Sequence, residues 1–307
     1  MATIGLLLAA LAIILAWPAP LLLSRSRWPD RDPLAALVLW QAIGLAGGLS
    51  MIGAGLVFGV APLGDNLPHA LGRLAHNILT GSPFRGLGVG HCIVLIVAAL
   101  LAVRLAGTLV WSFLQTIRHR RRHRELLALL SSPSPSHPRT RVLELELPVA
   151  YCLPGNKATT VLSAGLVELL KPGELHAVIA HERAHLRQRH DLLVLPFVAW
   201  KQALPFLPTP VVAHRSVTAL VEMLADDQAC RNNDRLILAN AIAQTTSARE
   251  LAGKVGVVAD DTVIAARVHR LRVDESTLAV PVRAAILLGS IALFAVPTAL
   301  LWAPMFG

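Results

Sequence analysis

The sequence predicts a mainly α protein, with a four-helix polytopic membrane part and a separate α+β domain. Three observations predict it. Of 307 residues, 54% are hydrophobic and only 15% charged, with mean hydropathy +0.59; soluble domains carry about a quarter charged residues. The apolar surplus gathers in four blocks: Ile4–Leu23, Leu34–Gly64, Gly86–Ile117 and Ala284–Ala303. Each block reaches the ~20 residues that a helix needs to cross the hydrocarbon core. The longer polar stretch left between the third and fourth blocks mixes strand-like and helical patterns.

The spans fall at about residues 4–23, 34–60 and 90–114, within a membrane region of residues 1–117. A polar domain follows over 118–281, and a fourth span with a short outer tail over 282–307. The first block has no basic leader and no small-residue cleavage site, so it reads as a span and not a signal peptide. Arginines orient the spans. Arg25, Arg27 and Arg31 follow the first, Arg118, Arg120, Arg121, Arg122 and Arg124 follow the third, and Arg283 precedes the fourth. The loop between spans two and three holds only Arg73 and Arg85. Both termini therefore face outside, the polar domain faces the cytoplasm, and the expected location is the cell membrane.

A net charge of +9 raises the question of nucleic acid. Most of that excess borders spans, where it fixes orientation and meets anionic lipid; the lipid bilayer is the expected partner and direct nucleic-acid binding is not. Cys92, Cys152 and Cys230 are too few and too widely spaced for a disulfide framework. Arg104, inside the third span, is expected to snorkel to the cytoplasmic interface. The runs GLAGG and GAG in the second span suit close helix packing.

Within the polar domain, Ser131–Pro138 reads as a flexible linker and RVLELELPVAYC as an alternating strand. LPGNKATT reads as a turn, and TTVLSAGLVELL as a strand leading into a helix. KPGE opens a helix running from about Gly173 to His190, with Pro172 suited to its first turn. Arg215–Ser276 reads as mainly helical, TALVEMLADDQACR most clearly.

That first long helix carries HERAH. His181 and His185 are four residues apart, so both rings leave one helical face, a spacing that lets two imidazoles reach one Zn²⁺. Glu182 points about 100° round the helix and is suited to general-base work, which explains why the H-E-x-x-H pattern needs all three residues. The competing explanation is a juxtamembrane helix whose His and Arg face phosphate headgroups. A catalytic zinc site needs a third protein ligand, and EMLADDQAC offers Glu222. Asp226, one turn on, is placed to accept the free ring N–H of a ligating histidine, with Asp227 as local competitor. His190 is expected to meet lipid or Asp227.

HERAHLRQRHD followed by EMLADDQAC resembles the membrane zinc metallopeptidases of the beta-lactam-sensor (antirepressor) type and the related heat-shock and prenyl-protein membrane proteases. The shared pattern is carried by His181, Glu182, His185, Glu222, Ala225 and Asp226. The resemblance implies a gluzincin-like zinc peptidase domain holding one Zn²⁺, and a protein substrate, with a transcriptional repressor as one candidate. It also implies an edge strand that pairs with substrate, mapped onto Thr159, Thr160, Val161 and Leu162. The antirepressor group's best-known members carry an extracellular penicillin-binding domain after the last span; this sequence ends at Gly307, so direct beta-lactam sensing is not expected.

Such a site places His185 and Glu222 on one side of the bilayer. The apolar stretch Leu192–Ala213 between them cannot then be a single crossing, and its 22 residues are too few for two. It dips in and returns, lies in the interface or packs inside the domain. His214, Arg215 and Tyr151 are candidates for stabilising an oxyanion or meeting substrate. The leading function is a zinc-dependent endopeptidase that cleaves a cytoplasmic or juxtamembrane protein in a regulatory role. The alternatives are quality control of membrane proteins and a non-enzymatic signalling scaffold. The oligomeric state is not legible.

Overall fold

The computed structural model describes residues 1–133, 140–153, 159–251, 261–273 and 277–302. Most of the expected linker, the centre of the LPGNKATT turn and Ala303 lie outside them. The chain divides into two compact units: residues 1–110, 197–216 and 278–307, and residues 111–196 with 217–277.

In the first unit, α1 (Ala2–Ala16) and α2 (Pro18–Arg25) make one apolar rod, interrupted where Pro18 and Pro20 follow Trp17. The short α3 (Trp28–Arg31) leads to α4 (Pro33–Val60), whose N-terminus is capped by Asp32, accepting from the Ala35 N–H at 3.1 Å. A 3₁₀ turn, Ala61–Leu63, and the amphipathic α5 (Leu67–Leu79) connect α4 to α6 (Val89–Leu130). Among the described residues, four helices are long and apolar enough to cross a membrane: Ala2–Arg25, Pro33–Leu63, Val89–Leu127 and Val280–Trp302. They match the four expected spans.

Helix α4 packs against α1 and the last helix, and its glycines make close approaches possible. A Cβ on Gly55 would lie 2.7 Å from that of Ala98, and one on Gly59 2.8 Å from that of Leu95. The small residues of GAG thus let α6 come close to α4. Arg283 Nε lies 3.2 Å from Asp32, joining the loop before α4 to the start of the last helix. Both ends therefore sit at the same edge of this unit.

In the second unit, β1 (Ser131–Pro133), β2 (Thr140–Leu143), β3 (Ala150–Leu153) and β4 (Thr159–Ser163) form a sheet of order β1-β2-β4-β3. The β2–β4 pair is parallel and the other two are antiparallel. The single strand expected from RVLELELPVAYC is in fact two, β2 and β3, lying on opposite sides of β4. Ser131–Pro133, expected as linker, pairs with β2 because Arg141 fixes it, Nε donating to Ser131 Oγ at 2.7 Å.

Helices α7 (Ala164–Leu169) and α8 (Pro172–Arg187) follow. Glu174 caps the start of α8 by accepting from the Lys171 N–H at 3.0 Å, and is held by Gln244 at 2.8 Å. α8 ends earlier than expected because Arg189 takes a left-handed φ of 48°, which an ordinary side chain seldom adopts. A new helix, α9 (His190–Ala203), then starts, followed by α10 (Pro208–Ala229), α11 (Arg235–Leu251) and α12 (Asp261–Arg272); α13 (Val280–Trp302) is the last helix of the first unit. Leu162, Leu166, Leu170, Leu175, Ile179 and Ala241 make one core between sheet, α8 and α11. Ala177, Ala229, Leu238 and Leu271 join the other side of α8 to α10, α11 and α12.

The apolar stretch between α8 and Glu222 resolves into two helices, α9 and the first part of α10, joined through residues 204–207. Its residues 197–216 belong with the spans and not with the polar domain of 118–281. Phe197 is buried over Gly44 of α4, and Arg104 Nε donates to the Ala203 carbonyl at 2.6 Å. Arg104 therefore does not simply snorkel: it satisfies a carbonyl left open at the end of α9.

Candidate active site

The pieces of the site come from three helices. Leu175 and Ile179 bury one face of α8, and the turns that carry His181 and His185 follow that anchor. α10 brings Glu222 and Asp226 opposite them, and α12 closes over α10.

The three expected ligands meet. Nε2 of His181 lies 3.1 Å from Nε2 of His185, and the Glu222 carboxylate lies 3.5 Å from the first and 3.4 Å from the second. One ligand atom from each falls within 4.8 Å of the others. Ligands about 2.0–2.1 Å from a tetrahedral zinc are separated by about 3.3 Å, so these three separations match one face of such a polyhedron. Two imidazoles and a carboxylate are also a donor set that zinc accepts. The residues fit the ion.

The surroundings orient the donors. Nδ1 of His181 lies 2.9 Å from Asp226 Oδ1, which leaves Nε2 to face the cluster. Asp226 is 1% exposed, so its charge needs a partner. Arg267 of α12 supplies it: Nε and Nη2 each donate to Asp226 at 2.8 Å, while Nη1 lies 2.9 Å from Glu222. One guanidinium fork thus holds both acids of α10. Asp227 does not compete with Asp226, being engaged by Arg270 at 2.7 and 2.8 Å. Arg267 escaped the sequence reading, since no spacing to the other site residues marks it.

The electrostatics follow from burial and these contacts. Burial disfavours a charged His181 ring, but Asp226 and Glu222 outweigh it and lift the group to about 9. His185 is pushed down to about 4 by burial, then by the neighbouring His181 charge. Burial works against an ionised Glu222, yet His181 and Arg267 bring it down to about 2. The same competition, led by Arg267 on the favourable side, holds Asp226 well below the usual carboxylate range. Burial lifts the Glu182 carboxyl to about 7; His181 opposes that rise and Glu222 adds to it. A divalent cation in the cluster adds positive charge and draws Glu182 back down.

Several expectations are corrected. His190 meets neither lipid nor Asp227: it is 2% exposed, and its Nδ1 lies 2.9 Å from Nδ1 of His185. The break at Arg189 turns it back onto His185. Thr159, Thr160, Val161 and Leu162 cannot be a substrate-pairing edge, because β4 is interior, with β2 on one side and β3 on the other. Among the described residues, the outer strand next to β4 is β3, which also packs against α8. Tyr151 lies on β3, with its hydroxyl 3.1 Å from His123 Nε2. His214 and Arg215 precede Glu222 by eight and seven residues on α10, about 12 and 10 Å along its axis.

Residues 115–252 match the model of Peptidase family M48. A stretch of 71 residues is 32% identical to Protease HtpX homolog 2 of Methanosarcina mazei, covering 22% of this chain and 24% of that protein. The chain thus spans about a quarter of that relative's length in the match. No solved structure matches. The M48 match covers the His–His–Glu cluster, and with the four apolar helices it supports a membrane metallopeptidase family.

Proposed function

We propose that the chain is a membrane-anchored, zinc-dependent endopeptidase whose site is built by His181, His185 and Glu222, with Glu182 as the acid–base group. The observation that carries this reading is the meeting of those three side chains at tetrahedral spacing. Zinc held there supplies a Lewis acid that polarises the scissile carbonyl and acidifies water.

The protein's own groups do the rest. Glu182 removes a proton from the attacking water and passes it to the leaving amine. Asp226 keeps the His181 ring turned, and Arg267 keeps Glu222 and Asp226 ionised and in place. The outer edge of β3, from Ala150 to Leu153, which pairs with no other strand among the described residues, offers backbone N–H and C=O groups to an extended peptide. The substrate is a protein segment on the cytoplasmic side or close to the membrane. Regulatory cleavage, with a repressor as one candidate substrate, is the role that the antirepressor resemblance favours.

The test is metal analysis of purified wild type, Glu182→Gln and Glu222→Ala, paired with casein and self-cleavage assays. Glu182→Gln keeps about one zinc per chain and loses cleavage by 10²-fold or more; Glu222→Ala loses zinc as well. Cleavage that survives in Glu182→Gln rules the mechanism out.

A further inference from the structure

Two arginine-rich stretches, 65 residues apart in sequence between Arg122 and Arg187, are tied together by a contact that the peptidase chemistry does not use. The first follows the apolar part of α6 without a break: Ile117 is succeeded by Arg118, His119, Arg120, Arg121 and Arg122. The second is the end of α8 and the turn after it, holding Arg187 and Arg189. Arg120 forms an ion pair with Asp191, the second residue of α9. That pair fastens the start of α9 to α6, so Arg187 and Arg189 sit two to four residues from the join.

The pair also removes Asp191 as a counter-charge for the rest. Arg118, Arg121, Arg122, Arg187 and Arg189 are exposed. Glu125 is the other acid along the two stretches. Among the described residues of the two stretches, at least four positive charges are therefore left in excess on a surface that begins where the apolar helix ends. Exposed Trp111, Phe113 and Leu114 precede it on the same helix, with Trp111 at 56%, an aromatic of the kind that marks a membrane interface.

We propose that these two stretches form one binding surface for the headgroups of anionic phospholipids in the leaflet where α6 emerges. Arginine recognises phosphate through a planar fork of donors, and each cation near such a surface contributes about a fivefold preference for anionic lipid. Basic residues after a span orient the helix in any case; what the Arg120–Asp191 tie adds is the tail of the ligand-bearing helix as part of the same surface. A peptide or nucleic acid partner gains nothing from the apolar and aromatic residues that run directly into the patch.

The test uses the full chain in detergent. Native mass spectrometry measures retention of short-chain phosphatidylglycerol against short-chain phosphatidylcholine, with inorganic phosphate and a short DNA duplex as competitors. Wild type retains the glycerol lipid at least fivefold better, and that preference falls at high salt. Arg187→Gln combined with Arg189→Gln lowers it by about fivefold or more, although neither residue borders a span. Arg118, Arg121 and Arg122 changed together to Gln lower it further still. Equal retention of the two lipids overturns the proposal. So does an unchanged preference in the Arg187/Arg189 variant, or displacement of lipid by DNA or by phosphate at equal concentration. If a variant melts well below wild type in the choline lipid, the wild-type preference and its salt dependence decide alone.

Discussion

Nη1 of Arg267 lies 2.9 Å from the Glu222 carboxylate, while the same guanidinium grips Asp226 with its other two nitrogens. Two acids of α10 that both approach His181 are therefore held by one side chain from a third helix. Removing it leaves the buried Asp226 and the half-buried Glu222 with the His181 ring as the one cation close to both among the described residues. Arg267→Gln is expected to lower stability by about 3–5 kcal/mol, the usual cost of breaking a buried ion pair. Arg267→Lys keeps the charge but not the fork, and falls between. Thermal unfolding of the zinc-free proteins measures both.

Asp226→Asn tests ring orientation without changing side-chain size. The amide can still accept from His181 Nδ1 but carries no charge, and it presents an N–H to Arg267. Zinc affinity is expected to fall by about 10–100-fold, read by competition with a chromophoric chelator. Affinity equal to wild type shows that Asp226 does not govern how His181 binds metal.

The two cysteines of the second unit give a pH-dependent signature. Burial lifts both Cys152 and Cys230 to about 11. Since the thiolate is the nucleophile, a raised value makes each less reactive at pH 8 than an ordinary cysteine. The thiolate fraction drops about a hundredfold and stronger intrinsic nucleophilicity recovers part of that, so alkylation is expected to be about tenfold slower than for a free thiol. The rate should climb with pH until about 11. Mass-resolved iodoacetamide labelling follows the two sites separately.

Gly55 tests the membrane unit. Its missing Cβ would fall 2.7 Å from the Ala98 Cβ, so Gly55→Ala forces α4 and α6 apart. A loss of about 1–3 kcal/mol is expected, and Ala98→Gly in the same chain should restore most of it. Unfolding in mixed detergent micelles measures the cycle.

The legible and illegible parts of this protein differ in a physical way. His181, Glu182 and His185 share one helix, so spacing alone fixes their relative directions, and Glu222 and Asp226 repeat that geometry on another. The spans follow from composition. Arg267 is one of 28 Lys and Arg residues, and its partners lie more than forty residues earlier, so no local pattern singles it out. Strand order is non-local as well: β4 slips between β2 and β3, and a segment that reads as a suitable edge ends up inside. His190 depends on one unusual backbone angle at Arg189, which propensity does not foretell.

The place of α9 and α10 in the chain bears on how the protein is made. During synthesis the two imidazoles of α8 leave the ribosome first, Glu222 only after the Phe197–Ser216 segment that belongs among the spans, and Arg267 later still. A nascent chain thus holds an incomplete donor set until its apolar detour has been delivered to the bilayer. Any chemistry that needs the whole cluster is thereby withheld from the unfinished polypeptide.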